Sequence, residues 1–398
     1  MAIATDRGSN LAREVDAKPE WEDFVHVGPG TLAGRYLRMF WHPVCRAEDI
    51  KPGWTKPIRL MGEDFTLYRG ESGKPHLVAF RCAHRGTQLT AGWVEGDDLR
   101  CYYHGWKYDA TGQCIEQPGE REPFCQRIRI ASWPAEEYIG LIFVYIGEGE
   151  PPPLPRYPEV EHAPGLLEPW LEEAPCNYFN RLDNAADSVH VPFVHSNRNG
   201  KGIKVPLNMR AQETEYGFVC QDYPESGKRG AAHSRFHMPN MNYMRLGAKN
   251  KALETGPRVA VMWRVPLDDD NHIAIGTQRV QVFGENVEKY VEQWRAAELE
   301  QQRVPMAETA RAVLAGRMKT DEIAPGRWWD SSSVQDMVTM IGQDVIAHRD
   351  EEHLGRSDVG VIFIRQLYQR ELRALAEGRP LKQWAAVDAI EEDNEGGR

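Results

Sequence analysis

The run from Cys82 to His104, CAHRGTQLTAGWVEGDDLRCYYH, sets a Cys-x-His pair sixteen residues ahead of a Cys-x-x-His pair. Nothing else in the chain constrains its folding as tightly. Thiolates and imidazoles gathered on a metal require two loops held side by side by short strands. Two chemistries use such a set. A single zinc would take all four ligands tetrahedrally, whereas a two-iron, two-sulfide cluster would take two cysteines on one iron and two histidines on the other. Zinc fingers pair Cys with Cys and His with His along the chain; here each pair is mixed. If each loop gives one ligand to each iron, Cys82 and Cys101 hold one iron and His84 and His104 the other. Gly86 and Gly105 permit close backbone approach, and Trp106 can shield the site from water. Neutral imidazole ligands raise the reduction potential above that of an all-thiolate cluster.

Around this motif, residues 37–146 read as short strands cut by turns, among them KPIRLMGEDFTLYRG, HLVAF and GLIFVYIG, with hairpin tips at Gly62–Asp64 and Asp109–Gly112. The stretch GEGEPPPLPRYPEVEHAPG is too rich in Pro, Gly and Glu to sustain a helix or a ladder and marks a boundary. Beyond it, periodicity predicts a helix over 179–190 and strands near 217–223, 233–246, 259–266 and 272–283. A helix over 286–318 has Tyr290, Val291, Trp294, Ala297 and Leu299 on its apolar side, and a last helix over 359–377 is ended by Gly378 and Pro380. The predicted class is α+β. Residues 37–150 form an all-β domain, 151–166 a linker, and 167–390 an antiparallel sheet with helices against it; 1–36 are an extension packed on that second domain. The polar ends are expected to fray.

Charge narrows the function. With 48 basic and 59 acidic residues the net charge is −11, and no basic run offsets it, which argues against a nucleic-acid or acidic-membrane partner. No apolar stretch reaches the roughly eighteen residues of a membrane span, and the first residues lack the basic-then-apolar layout of a secretory signal. Seven cysteines, an odd count in a long chain, fit a reducing compartment rather than a disulfide framework. A cytoplasmic protein is expected.

The segments CAHRGTQL and CYYHGWKYDATGQC resemble the Rieske [2Fe–2S] domain, in the version found in oxygenases. A second constellation lies in NRLDNAADSVHVPFVH, where Asn184, Asp187 and His190 would share a helix face and Pro192 would bend the chain to bring His195 beside His190. Two histidines and one carboxylate on one side of an Fe(II) leave positions open for O2 and substrate. This segment resembles the Asp-x-x-His-x4-His iron motif of Rieske non-haem iron oxygenases. The resemblance implies that His190 and His195 are iron ligands. It implies that Asp187 hydrogen-bonds His190 and reaches across a subunit interface towards His104 of a neighbouring chain, and that Asn184 lies beside the open coordination side. For the third ligand it offers Asp336 and Asp344, ahead of the run from Arg349 to Asp358; Gln335-Asp336 fits the family pattern better, so Asp336 is preferred. His348 and His353 read as structural or solvent-facing.

The resemblance also implies a helix-grip catalytic domain, a mononuclear Fe(II) fed by the cluster, O2 as co-substrate and a head-to-tail homotrimer. GPGTLAG reads as a turn rather than a dinucleotide loop, and no plant-type Cys-x4-Cys-x-x-Cys occurs. Electrons must therefore come from NAD(P)H through a separate reductase, with or without a ferredoxin. The N-terminal run GPGTLAGRYLRMFWHPVCRAEDI and the EHLG-SD segment look most like the phthalate-dioxygenase branch, which includes aryl-ether O-demethylases. Its members hydroxylate, dihydroxylate or demethylate aromatic, often carboxylated or methoxylated, substrates. Pocket candidates are His233, Arg235, His237, Met238, Asn240, Asn242 and Met244, with Arg235, Arg258 or Arg264 eligible to grip a carboxylate and the GRWWDSSS loop eligible to cap the cavity. The alternatives are an electron-carrying Rieske protein without catalysis and a zinc-stabilised structural protein.

Overall fold

The computed structural model describes residues 19–195, 205–223, 232–248, 250–323 and 331–386. The predicted cap at 326–333 lies largely outside them, and so does the side chain of His233.

Two small antiparallel sheets carry the first motif. One has the order β2 (Thr55–Leu60), β3 (Glu63–Arg69), β4 (Pro75–Ala79), β9 (Ser132–Trp133). The other runs β5 (Trp93–Glu95), β6 (Asp98–Arg100), β7 (Lys107–Tyr108), β8 (Cys114–Glu116). The first ligand loop follows β4, and the second is the tip between β6 and β7. Beneath them lies a separate small core of Tyr68, Val78, Leu89, Leu99, Trp106, Tyr108 and Ile130 that also takes in Cys82 and Cys101.

A three-stranded sheet, β1 (His42–Arg46), β11 (Leu141–Val144), β10 (Ala135–Tyr138), joins this part to the larger one. The larger sheet is antiparallel throughout, in the order β12 (Leu166–Ala174), β18 (His272–Val280), β17 (Arg258–Pro266), β16 (Met241–Leu246), β15 (Ala232–His237), β14 (Gly217–Asp222), β13 (Met209–Glu213). Its odd-numbered residues Val261, Trp263, Val265, Ile273 and Ile275 join the main core, where Trp263 meets Phe143 of β11 edge to face. The helices are α1 (Leu32–Leu37), α2 (Pro158–His162), α3 (Tyr178–Ala186), α4 (His190–Val194), α5 (Asn286–Arg303), α6 (Met306–Leu314), α7 (Ser331–Ile341) and α8 (Val359–Ala376).

Residues 19–37 pack on α3 and α8. Phe24 lies 4.1 Å from Phe179 between ring centroids, and the Tyr178 hydroxyl donates to the Phe24 carbonyl at 2.7 Å. α8 approaches the end of α3 closely at Gly360, where a Cβ would fall 2.2 Å from the Ala186 carbonyl oxygen.

Several expectations need correction. The expected helix over 179–190 breaks at Asp187, whose ψ of 107° is extended, so α3 and α4 are separate. The bend expected at Pro192, between His190 and His195, is absent; Pro192 sits in the first turn of α4, where no N–H is needed, and the helix runs on to its C-cap His195. The 286–318 helix divides at Pro305, which serves as the N-cap of α6, and Leu299 is exposed rather than packed. The segment 233–246 is a hairpin of two strands, β15 and β16, rather than one run. The proline-rich boundary is not free chain. Pro158 starts α2 as a first-turn proline, and Tyr157 is buried against Tyr243 and Trp263. His237, one of the pocket candidates, is buried and stacks on Tyr216 and Tyr243 beside Tyr157.

Candidate metal centres

The two Cys/His loops are built alike. Cys82 N–H donates to the Thr87 carbonyl and Gly86 N–H to the Cys82 carbonyl, both at 2.9 Å. In the second loop Cys101 N–H donates to the Trp106 carbonyl at 2.8 Å and Gly105 N–H to the Cys101 carbonyl at 3.1 Å. Gly86 and Gly105 close these turns at φ of 73° and 74°, a conformation that disfavours any side chain. Both thiols are buried, and the Tyr108 hydroxyl lies 3.1 Å from Cys82 Sγ and accepts the Ala83 N–H at 3.2 Å. The His84 ring lies parallel to Trp106, with centroids 4.5 Å apart, and its other neighbour is His104 at 4.5 Å.

These residues fit a cluster. His84 Nδ1 is buried without a partner, an arrangement that is costly unless a metal takes the lone pair. Burial, helped by the adjacent Cys82 sulfur, pushes the Cys101 thiol up, so two thiolates here need a cation between them. Partial desolvation, with His84 and Arg85 nearby, lowers the His104 imidazole and keeps it neutral, as a ligand must be. Among the described residues, the only group of three or more potential ligand atoms within 4.8 Å of one another lies elsewhere. Two loops that each present one thiol and one imidazole suit a cluster with two cysteines on one iron and two histidines on the other.

The compact group is His190, His195 and Asp336. Asp336 Oδ1 lies 3.4 Å from His190 Nε2 and 3.2 Å from His195 Nε2. The opposite nitrogens are engaged: His190 Nδ1–H donates to the Asp187 carbonyl at 2.5 Å, and His195 Nδ1–H to Gln335 Oε1 at 3.0 Å. With the protons on Nδ1, both Nε2 lone pairs point at one carboxylate oxygen that itself has no hydrogen-bond donor. Three electron-rich atoms facing each other repel unless a cation sits among them. Burial raises the Asp336 carboxyl, and positive charge at the two facing histidines outweighs it and holds the group well below the usual carboxylate range; with both imidazoles neutral, a bound cation would supply that charge. Two histidines and a carboxylate with an open side suit Fe(II).

α4 supplies His190 and its C-cap residue is His195, while the first turns of α7 supply Gln335 and Asp336, so one helix pair positions all three ligand atoms. Asp344 stands apart; it is exposed and pairs with His348 at 3.4 Å. Asp187 touches His190 through its backbone carbonyl; its carboxylate Oδ2 is 3.8 Å from Nδ1, and Oδ1 accepts the Val189 N–H at 2.8 Å. Asn184 Nδ2 donates to Thr339 Oγ1 of α7 at 3.4 Å. Sequence reasoning does not single out Tyr108, whose role appears only once β7 is folded against Cys82, nor Asp183, which accepts hydrogen bonds from both Arg349 and Arg365.

Residues 40–134 match the Rieske [2Fe-2S] domain family. Over 378 residues the chain is 30% identical to the 5,5'-dehydrodivanillate O-demethylase oxygenase subunit of Sphingobium sp. (strain NBRC 103272 / SYK-6), covering 91% of this chain and 81% of that one. The chain belongs to the Rieske non-haem iron oxygenases. It is also 28% identical to the tert-butanol monooxygenase / tert-amyl alcohol desaturase oxygenase subunit of Aquincola tertiaricarbonis, over 90% of this chain and 78% of that one. The solved structure of NdmA with caffeine from Pseudomonas putida CBB5 superimposes with a TM-score of 0.66 at 19% identity, covering 91% of this chain and 98% of that one, and so shares its fold. As a member of this family the chain is an oxidoreductase of the oxygenase type, with a Rieske cluster and a mononuclear iron. No helix among the described residues is long and apolar enough to cross a membrane.

Proposed function

We propose that this oxygenase holds its [2Fe–2S] cluster with Cys82, Cys101, His84 and His104 and its mononuclear Fe(II) with His190, His195 and Asp336, and that it oxygenates an aromatic substrate by hydroxylation, dihydroxylation or oxidative O-demethylation. The observation that carries the reading is the convergence of two Nε2 lone pairs and one carboxylate oxygen, each histidine fixed by a hydrogen bond on its far nitrogen. When bound, the iron supplies the site for O2 activation and the cluster supplies electrons one at a time. The chain's own part is positioning. The Asp187 carbonyl and Gln335 set the imidazole planes, and Asn184, tied to Thr339, braces α3 against α7. An aromatic substrate is favoured by the similarity to an O-demethylase acting on dehydrodivanillate. The similarity to a tert-butanol monooxygenase makes a small aliphatic alcohol the competing reading.

Electrons are proposed to arrive from a separate NAD(P)H-dependent reductase or a ferredoxin, and the subunits to form a head-to-tail trimer. Exposed Tyr102 and Tyr103 beside His104 would then lie against a neighbouring subunit near its Asp187. Domain limits at 37–150 and 167–390, joined by 151–166 and preceded by 1–36, and a cytoplasmic location belong to the same proposal.

Metal analysis and turnover test it. The purified protein should be brown with about three irons per chain, two in the cluster and one mononuclear. His190→Ala should keep the cluster spectrum, lose one iron and lose oxygenation. Retained turnover in that variant would remove His190 from the site. Formaldehyde release from methoxyarenes indicates demethylation, and a diol indicates dihydroxylation.

A further inference from the structure

Outside the two centres, the small core beneath the Cys/His loops holds a second pair of sulfurs. All seven cysteines are described and free, and Cys125 is the one that is not fully buried. It opens the short turn Cys125–Arg127, which closes when the Ile128 N–H donates to the Cys125 carbonyl at 2.9 Å. Cys114, the first residue of β8, lies alongside. Its N–H donates to the Ile128 carbonyl at 3.0 Å, and Gln113 bridges antiparallel to Arg129. The Gln113 side-chain amide ties the same two segments, donating to the carbonyls of Cys125 at 2.8 Å and Ile128 at 3.0 Å. Cys114 belongs to the small core, Cys125 packs against it, and the two thiols are in hydrogen-bond contact.

Two thiols in contact, outside any set of metal ligands, share one reaction: oxidation to a disulfide. Exposure orders its steps. Hydrogen peroxide reaches the half-buried Cys125, whose sulfur takes one oxygen to become a sulfenic acid and releases one water. The Cys114 sulfur then displaces that hydroxyl, forming the S–S bond and releasing a second water. Two thiols lose two electrons, and one peroxide is reduced to two waters. Burial, with Cys125 adding to it, pushes the Cys114 thiol up to about 12, so Cys114 does not meet oxidants by itself. Beside a sulfenic acid already formed, it has the advantage of an intramolecular step. The bond would close the chain between the two cysteines into a loop. Phe124, at the start of the Cys125 turn, meets Trp106 edge to face with centroids 5.6 Å apart, and Trp106 stacks on His84.

We propose that Cys114 and Cys125 form an oxidative modification site, a dithiol that hydrogen peroxide converts to a disulfide, pinning the Phe124 turn over Trp106 and His84. The linkage is independent of the substrate. Its effect on the cluster rests on the reading of Cys82, His84, Cys101 and His104 as ligands. The reduced pair leaves the turn held by backbone and amide hydrogen bonds alone, and the oxidised pair adds a covalent tie.

The test uses the holoenzyme, treated with stoichiometric hydrogen peroxide or, separately, with diamide, a thiol oxidant that does not act through iron. Free thiols are alkylated and the protein is digested with trypsin. Cleavage after Lys107, Arg121 and Arg127 puts the two cysteines on different peptides, 108–121 and 122–127. The disulfide therefore appears as one linked mass that dithiothreitol separates. The linked mass is expected with both oxidants in the unsubstituted protein and with neither in Cys125→Ser. The linked form should also lose its visible cluster absorption to an iron chelator at least about twofold more slowly than the reduced form. Absence of the linked mass with either oxidant, recovery of Cys125 as a sulfinic acid, or a linked form that loses its cluster as fast as the reduced one overturns the proposal. Mapping on the unsubstituted protein decides the matter even if Cys125→Ser fails to fold. A colourless protein without iron would strike the cluster reading instead, and the linked mass would still stand or fall by mapping.

Discussion

Replacing Asp183 by Asn tests what holds the iron-bearing helices in place. The Asp183 side chain, 8% exposed, accepts four hydrogen bonds from two guanidinium groups: Arg349 Nε at 3.1 Å and Nη2 at 2.9 Å, Arg365 Nε at 3.0 Å and Nη2 at 2.7 Å. It thereby joins α3 to the segment after α7 and to α8. Asp183→Asn keeps the shape but removes the charge and turns two acceptor positions into donors facing donors. Breaking one side of a buried ion pair costs about 3–5 kcal/mol. Arg365 keeps Glu352 and Arg349 keeps the Asn180 side-chain oxygen at 3.2 Å, so the low end, about 3 kcal/mol, is expected. At about 2–4 °C per kcal/mol the apparent midpoint should fall by roughly 6–12 °C. Because α3 leads directly into Asp187 and α4, mononuclear iron should fall below one per chain while the cluster's visible absorption stays. Differential scanning calorimetry with iron analysis measures both. A midpoint shift under about 2 °C with full iron content would refute the argument that this carboxylate anchors α3.

Two further outcomes follow from particular contacts. Tyr108→Phe removes the hydroxyl 3.1 Å from Cys82 Sγ. Hydrogen bonds to cluster sulfurs raise the potential, and about 1 kcal/mol for a one-electron couple corresponds to roughly 40 mV, so redox titration should find the cluster lower by that amount; an unchanged potential would exclude the bond. His237, boxed in by Tyr216, Tyr243 and Tyr157, is held by burial at about 3, below its ordinary value near 6.5. Below pH 6.5 the unfolded chain takes up a proton that the folded chain refuses, so stability falls as pH drops and is restored as pH rises above that point. His237→Phe should therefore lose about 2 kcal/mol less than the parent between pH 7.5 and pH 5. Denaturant unfolding at both pH values checks this, and equal losses in the two proteins would count against it.

Short-range chemistry was legible in the chain. Cys82 and His84, and likewise Cys101 and His104, lie two or three residues apart on a single tight turn, and so do His190 and Asp187 on the α3–α4 junction. Ligands that close cannot be separated by the fold, so spacing and residue type suffice to find them. The α+β pattern of the second half was also readable, because β17 and β18 alternate core residues with residues of the other face. The edge strand β12, with Pro169 and three glutamates in Leu166–Ala174, passes unseen because its acids carry no strand signal.

What the chain could not reveal by itself depends on residues far apart meeting. Gln335 stands 140 residues from the His195 it orients. The sequence pattern already favours Asp336 over Asp344, and the fold adds the physical reason: α7 turns the first towards the two histidines, while the second, at a positive φ of 78°, lies exposed. Local sequence determines which groups can bind a metal. Tertiary packing decides which of them face each other, because desolvation and charge balance are properties of the assembled interior and not of any segment.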